Sequence, residues 1–139
     1  MRKLGIDYGD ARVGIAITDS LNITAQGLET IHCNGNDKIV LKRLEELMSE
    51  YEIDTFVIGI PVSMDGTKRE RVEVTEKFIH KLKCKFPKIT IEKIDERLTT
   101  VEAHKTMNLL NVDSKKKKNI VDTISAVYIL ETYMKKQNL

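Results

Sequence analysis

The stretch TFVIGIP, Thr55 to Pro61, is a short, continuous apolar run. A strand with one wet face alternates polar and apolar residues, so an unbroken run of this length fits a central strand covered on both faces. Such a strand requires a layer on each side of its sheet, and the flanking sequence supplies candidates. From Asp37 to Tyr51, Ile39, Leu41, Leu44, Leu47 and Met48 recur at helical spacing. From Arg69 to Cys84, Val72, Val74, Phe78, Ile79 and Leu82 form a second such set. Further strands are expected at Lys3–Asp7, Val13–Thr18, around Leu28–His32 and at Lys88–Glu96. A short helix is expected over Val101–Leu110 and a last one from about Asn119 to Met134. The fold class is therefore α/β, a mixed sheet with helices on both faces. Asp10 and Ala11 lie between the first two strands, a spacing short enough for an antiparallel hairpin.

At 139 residues the chain reads as one domain, residues 1–139. Its 41% hydrophobic and 32% charged residues are those of a globular protein and exclude a disordered one. No apolar run approaches a membrane span, and Asp7 interrupts the N-terminal stretch that a signal peptide would need. Cys33 and Cys84 stand far apart with no CxxC, which points to reduced thiols and a cytoplasmic protein. A net charge of +2 says little about partners; the distribution of charge has to be read instead.

Three carboxylates occupy unusual places. Asp7 ends the first strand, and Asp95 and Glu96 end the strand KITIEKIDE. The first strand, TFVIGIP and KITIEKIDE can run parallel, joined by helical crossovers. Their carboxyl ends then open into one crevice, where α/β sheets bind ligands. Asp122 shares a helical stripe with Ala126, Ile129 and Tyr133, so it points toward the protein, and small Ala126 lets that helix approach the sheet closely. Half-buried carboxylates that converge repel one another unless a cation compensates them, and an all-oxygen site selects Mg²⁺ or Mn²⁺ over zinc. His32, His80 and His104 have no ligand-like spacing. Each acid also has an ordinary structural use: Asp7 capping a turn, Glu96 paired with Arg97, Asp122 at the N-terminal end of a helix dipole. Asp95 and Glu96 point to opposite faces of a strand. Ile94 shares a face with Glu96 and Ile91 shares one with Asp95, so periodicity does not choose between them.

Four segments, GIDYGDARVGIAITD, VIGIPVSMDGT, IDERLTTVEA and VDTISA, resemble in order the successive motifs of the YqgF family. That family is also called RuvX and is described as a Holliday junction resolvase or a pre-16S ribosomal RNA nuclease. The resemblance covers nearly the whole chain without a large insertion. It implies an RNase H-like fold related to RuvC, with a central five-stranded mixed sheet and a metal-dependent nuclease site. By resemblance, the catalytic and metal-holding acids are Asp7, Glu96 and Asp122, the motif favouring Glu96 over Asp95. The fourth acidic or histidine position common in RuvC-like enzymes has no clear equivalent in VDTISA.

Phosphodiester hydrolysis needs an activated water and stabilised charge at phosphorus, which two metal ions roughly 3.5–4 Å apart can supply. Asp7, centrally placed, is the expected bridging ligand. Nucleic acid requires cations near the crevice: Arg12, Lys68, Arg69, Arg71 and Arg97 lie in or beside the motifs, and Lys115, Lys116, Lys117 and Lys118 precede the last helix. Such groups position a strand without reading its sequence. The lysine run also reads as a solvated loop, Arg97 as the partner of Glu96, and Asp65-Gly66 as a turn. Gly5, Gly9 and Gly14 permit close approach of backbone or substrate. Two readings compete with a nuclease. The DYG-x-x-R-x-G segment is also similar to the phosphate-holding hairpin of sugar kinases and actin-like ATPases, which close two such domains over a nucleotide. The other is a non-catalytic nucleic-acid-binding protein of ribosome assembly. Substrate stays open between precursor RNA and branched DNA, and oligomeric state between monomer and homodimer.

Overall fold

In the computed structural model, residues 1–60, 69–95 and 114–137 are described, with residues 69 and 114–121 as backbone alone. Among these, five strands form one sheet: β1 (Arg2–Tyr8), β2 (Arg12–Thr18), β3 (Ala25–His32), β4 (Ile53–Ile60) and β5 (Thr90–Asp95). Three helices complete the described elements: α1 (Asp37–Glu50), α2 (Arg69–Lys85) and α3 (Ser114–Gln137). The strand order is β3-β2-β1-β4-β5. β1, β2 and β3 are antiparallel neighbours, while β1, β4 and β5 run parallel, as the carboxylate argument requires.

β4 is buried along almost its whole length, which answers the unbroken apolar run. Its alternate residues feed two cores. Phe56 and Ile58 join Leu4, Ile6, Val13, Ile15 and Ile17 beneath α1 and α2, whose contributions include Leu44, Leu47, Phe78 and Leu82. Val57 joins Ala16 and Ile94 beneath α3, which contributes Ala126, Ile129 and Leu130. The expected five-stranded mixed sheet with helices on both faces is therefore present.

Several boundaries differ from expectation for local reasons. β3 starts at Ala25, earlier than Leu28, because pairing of Ala25–Gly27 with Ala16–Thr18 draws in residues of weak strand preference. β5 starts at Thr90 because the turn after α2 is closed by the Ile89 N–H donating to the Phe86 carbonyl at 3.1 Å. Within α1, Val40 is buried and Ile39 exposed; within α2, Thr75 takes the inward place and Val74 is exposed. The Thr75 hydroxyl reaches the inside by donating to the Arg71 carbonyl at 2.8 Å. The largest correction concerns α3, which begins at Ser114 rather than Asn119. Lys115–Lys118 are thus part of the helix, not a loop preceding it, since lysine is a good helix former even without an apolar periodicity to announce it. The expected helix Val101–Leu110 and the Asp65-Gly66 turn lie outside the described residues. No described helix is long and apolar enough to cross a membrane.

Candidate active site

Strand parity places Gly5 and Asp7 on the α3 face of β1, with Leu4, Ile6 and Tyr8 on the other. Asp7 is directly opposite Gly14 in the β1–β2 register. Gly14 is where α3 comes down: a Cβ there would overlap the Asp122 carbonyl and stand 3.0 Å from the Asp122 Cβ. Asp7 and Asp122, 115 positions apart in a chain of 139 (122 less 7), therefore rise from adjacent points of one surface, both half-buried. Gly5 makes the same kind of room, its missing Cβ being 2.7 Å from the Ala126 carbonyl. The close approach expected at Gly5 and Gly14 is thus that of a helix backbone. Asp122 lies more than two turns inside α3, too far from the N-terminus to serve the helix dipole.

Arg12 and Arg71, the candidate arginines with described side chains, are engaged by protein groups. The Arg12 Nε–H donates to Asp122 Oδ2 at 2.7 Å, tying β2 to α3. Arg71 of α2 donates to Asp10 Oδ1 at 2.6 Å and to the Tyr8 carbonyl at 2.8 Å, with its guanidinium 5.8 Å from the centre of the Tyr8 ring. The β1–β2 turn is held from the other side as well. Cys33 and Asn34 donate their N–H groups to the Ala11 carbonyl at 2.9 and 3.1 Å, and Gly35, at φ +80°, donates to the Asp10 carbonyl at 2.5 Å. A Cβ on Gly9 would sit 2.5 Å from the Arg12 carbonyl, so the tight turn itself requires glycine. Behind it, the Tyr8 hydroxyl donates to Asp37 Oδ1 at 2.6 Å, and Lys81 pairs with Asp37 Oδ2 at 2.9 Å.

On β5, Ile94 packs in the α3 core, and Asp95 stands opposite Ile60, whose side chain belongs to the α1/α2 core. Asp95 is consequently on the other side of the sheet from Asp7 and Asp122. Glu96, Lys68 and Arg97 lie outside the described residues, as do the side chains of Arg69, Lys115, Lys116, Lys117 and Lys118. Sequence reasoning did not find Asp10 as the partner of Arg71, or Tyr8 and Asp37 as a support beneath the turn. Their separations of 61 and 29 residues leave no local signal.

Two half-buried carboxylates on one surface are oxygen donors suited to a hard divalent cation. No group of three or more His, Cys, Asp or Glu residues that could hold a metal occurs among the described residues.

This sheet, with α3 laid across Gly5 and Gly14, is the fold of the RuvC-like nucleases of the RNase H class. Thermus thermophilus RuvC, solved with a Holliday junction substrate, superposes with a TM-score of 0.60 over 99% of this chain and 96% of that one, at 11% identity. The fowlpox virus Holliday junction resolvase gives 0.51 over the full length of both, also at 11% identity. These likenesses concern the fold alone. A family model, RuvX: Holliday junction resolvase, matches residues 1–136, and the chain belongs to that family. Relatives named "Putative pre-16S rRNA nuclease" include one from Ruminiclostridium cellulolyticum, 52% identical over 96% of this chain and 94% of its own. Another, from Acetivibrio thermocellus, is 50% identical over 96% and 95%.

Proposed function

We propose that this protein is a metal-dependent nuclease that hydrolyses phosphodiester bonds, with the 5′ end of precursor 16S ribosomal RNA as its substrate. The observation that carries the reading is that Asp7 and Asp122 both border Gly14 on one face of the sheet. Two half-buried carboxylates on one surface offer oxygen ligands of the kind a hard divalent cation takes. Family membership and full-length relatives bearing the nuclease name support the same conclusion.

Asp7, Asp122 and Glu96 are the residues that would hold Mg²⁺ or Mn²⁺. When bound, such ions supply an activated water and offset charge on the leaving oxygen. The chain's own part is placement. Asp7 is carried on a central strand, and its turn is clamped by Arg71 and by the β3–α1 connection. Asp122 is carried on a helix whose distance from the sheet is set by the missing Cβ atoms of Gly5 and Gly14. Asp95, on the other face of β5, is a poor third ligand, which leaves Glu96 as the candidate from that strand's end. Lys68, Arg69, Arg97 and Lys115–Lys118 remain the candidate phosphate contacts. Arg71, engaged with Asp10 and the Tyr8 carbonyl, is better read as a positioning residue.

A second reading, resolution of four-way DNA junctions, is favoured by the family's description. Symmetric cutting of a junction calls for two copies of the chain, whereas trimming an RNA end needs one. Asp7→Asn should lower cleavage by about a hundredfold or more, the size of effect expected when a metal ligand is lost, with the melting temperature kept or slightly raised by charge relief. Wild-type rates from that variant in Mg²⁺ would rule out the acidic site. Mapping 16S precursor ends after depletion, beside a junction-cleavage assay with the purified protein, separates the two substrates.

A further inference from the structure

Arg12 and Asp122 form an ion pair at the point where a metal would take Asp122. The pair is close, 2.7 Å, and partly withdrawn from water, the side chains being 32% and 17% exposed. It joins two elements of the candidate site: Arg12 opens β2 on the face that carries Gly14, and Asp122 sits over Gly14. The guanidinium thus already supplies the compensating charge that a half-buried carboxylate demands. A divalent cation taking Asp122 either displaces that guanidinium or binds beside a fixed positive charge; each costs affinity.

We infer that Arg12 is a placeholder cation: it neutralises and orients Asp122 in the metal-free protein and is displaced when a divalent ion arrives. This rests on the nuclease reading of the Asp7–Asp122 site. It assigns Arg12 a place in metal loading, beyond the phosphate contact expected from its position in the motif. The arrangement fixes the Asp122 carboxylate without metal and offsets repulsion between Asp7 and Asp122. It also makes metal affinity weaker than the carboxylates alone would give. Once displaced, Arg12 is a free cation at the edge of the site.

The test measures Mn²⁺ binding to the full chain without substrate, by the electron paramagnetic resonance of free Mn²⁺, in wild type, Arg12→Gln, Arg12→Lys, Asp122→Asn and Asp7→Asn. Glutamine keeps a hydrogen-bond donor at the position, which protects the fold, and removes the charge. Arg12→Gln should bind Mn²⁺ about fivefold tighter or more, the low end of typical coupling between two sites, and Arg12→Lys should stay near wild type. In ¹⁵N spectra of the metal-free wild type, the Arg12 Nε–H should be slow to exchange, and saturating Mg²⁺ should abolish that protection. Unchanged or weaker Mn²⁺ binding by Arg12→Gln, or an Arg12 signal indifferent to Mg²⁺, overturns the inference while leaving the site reading intact, provided Asp122→Asn has lost the metal. If Asp122→Asn and Asp7→Asn both bind Mn²⁺ as wild type does, the metal site is elsewhere, and both readings fall.

Discussion

Tyr8 shows how a single side chain supports a site it does not enter. It follows Asp7 on β1 and points to the opposite face, where its ring stacks on Phe78 with centroids 4.2 Å apart. Burial, reinforced by the hydrogen bond to Asp37 and that residue's charge, pushes the Tyr8 hydroxyl well above its ordinary value of 10.0. The folded protein therefore keeps the phenolic proton at a pH where the unfolded chain releases it. The unfolded state then binds fewer protons, so stability is fully present below about pH 10 and falls as pH rises beyond it. Denaturant midpoints measured between pH 8 and 11 should show this fall, and Tyr8→Phe should flatten it while lowering stability near neutrality by about 1 kcal/mol for the lost hydrogen bond. An identical alkaline slope in the variant would assign the fall to other groups.

At the scale of elements, α3 depends on small residues beneath it. Gly5 meets the Ala126 carbonyl, Gly14 the Asp122 carbonyl, and Gly27 of β3 the Thr123 side chain. Gly5, Ala16 and Gly27 are direct neighbours across three strands, so the helix lies in a shallow trough of the sheet. At Gly14 the obstruction is backbone, which cannot rotate away. Gly14→Ala should lift α3, costing about 1–3 kcal/mol as overpacking does, and move Asp122 away from Asp7. A melting temperature several degrees lower, with cleavage reduced more than it is by Gly27→Ala, is the expected pattern. At Gly27 the neighbour is a side chain that can adjust.

The lysines at the other end of α3 present a conflict within one element. Lys115–Lys118 stand in its first turns, where the helix dipole is positive and the first turn itself carries no acidic residue. Replacing all four with Gln should raise stability at low salt, by up to about 0.3–1 kcal/mol for each charge removed from the first turn and less beyond it. If they contact phosphates, the same variant should weaken nucleic-acid binding. It should also flatten its log-salt slope by one to two contacts, each about 0.7 for single strands or about 0.9 for duplex. Higher stability with unchanged affinity and slope would make the run a solvated helix end and shift the cationic path to Lys68, Arg69 and Arg97.

For the molecule as a whole, Asp7 and Asp122 are brought together only by folding, so an ion that bridges them binds the native state alone. Ligand at a hundredfold over its Kd adds about 2.7 kcal/mol, which should raise the melting temperature of a chain this size by several degrees. Millimolar Mg²⁺ or Mn²⁺ should therefore stabilise the wild type and leave the Asp7→Asn, Asp122→Asn double variant unmoved. Equal responses from both would place the metal away from these carboxylates.

The sequence alone determined the layered α/β sheet, because periodicity and an unbroken apolar strand are local properties that the whole fold obeys. It also determined that Asp122 faces inward and that Asp7 lies near the end of a strand, although β1 runs one residue further, to Tyr8, which pairs with Val13. The boundaries of β3 and α3 escaped it, because cross-strand pairing and lysine-rich helix propensity leave no apolar pattern. The partners of Arg12 and Arg71 escaped it for a deeper reason. An arginine in or beside a motif reads equally as a phosphate contact or as half of an ion pair. Only tertiary packing, which lays α3 over Gly14 and α2 beside the β1–β2 turn, put Asp122 and Asp10 within 2.7 Å of them. The same packing separated Asp95 from the other acids: which side of the sheet holds α3 is decided by where its helix finds glycines to rest on.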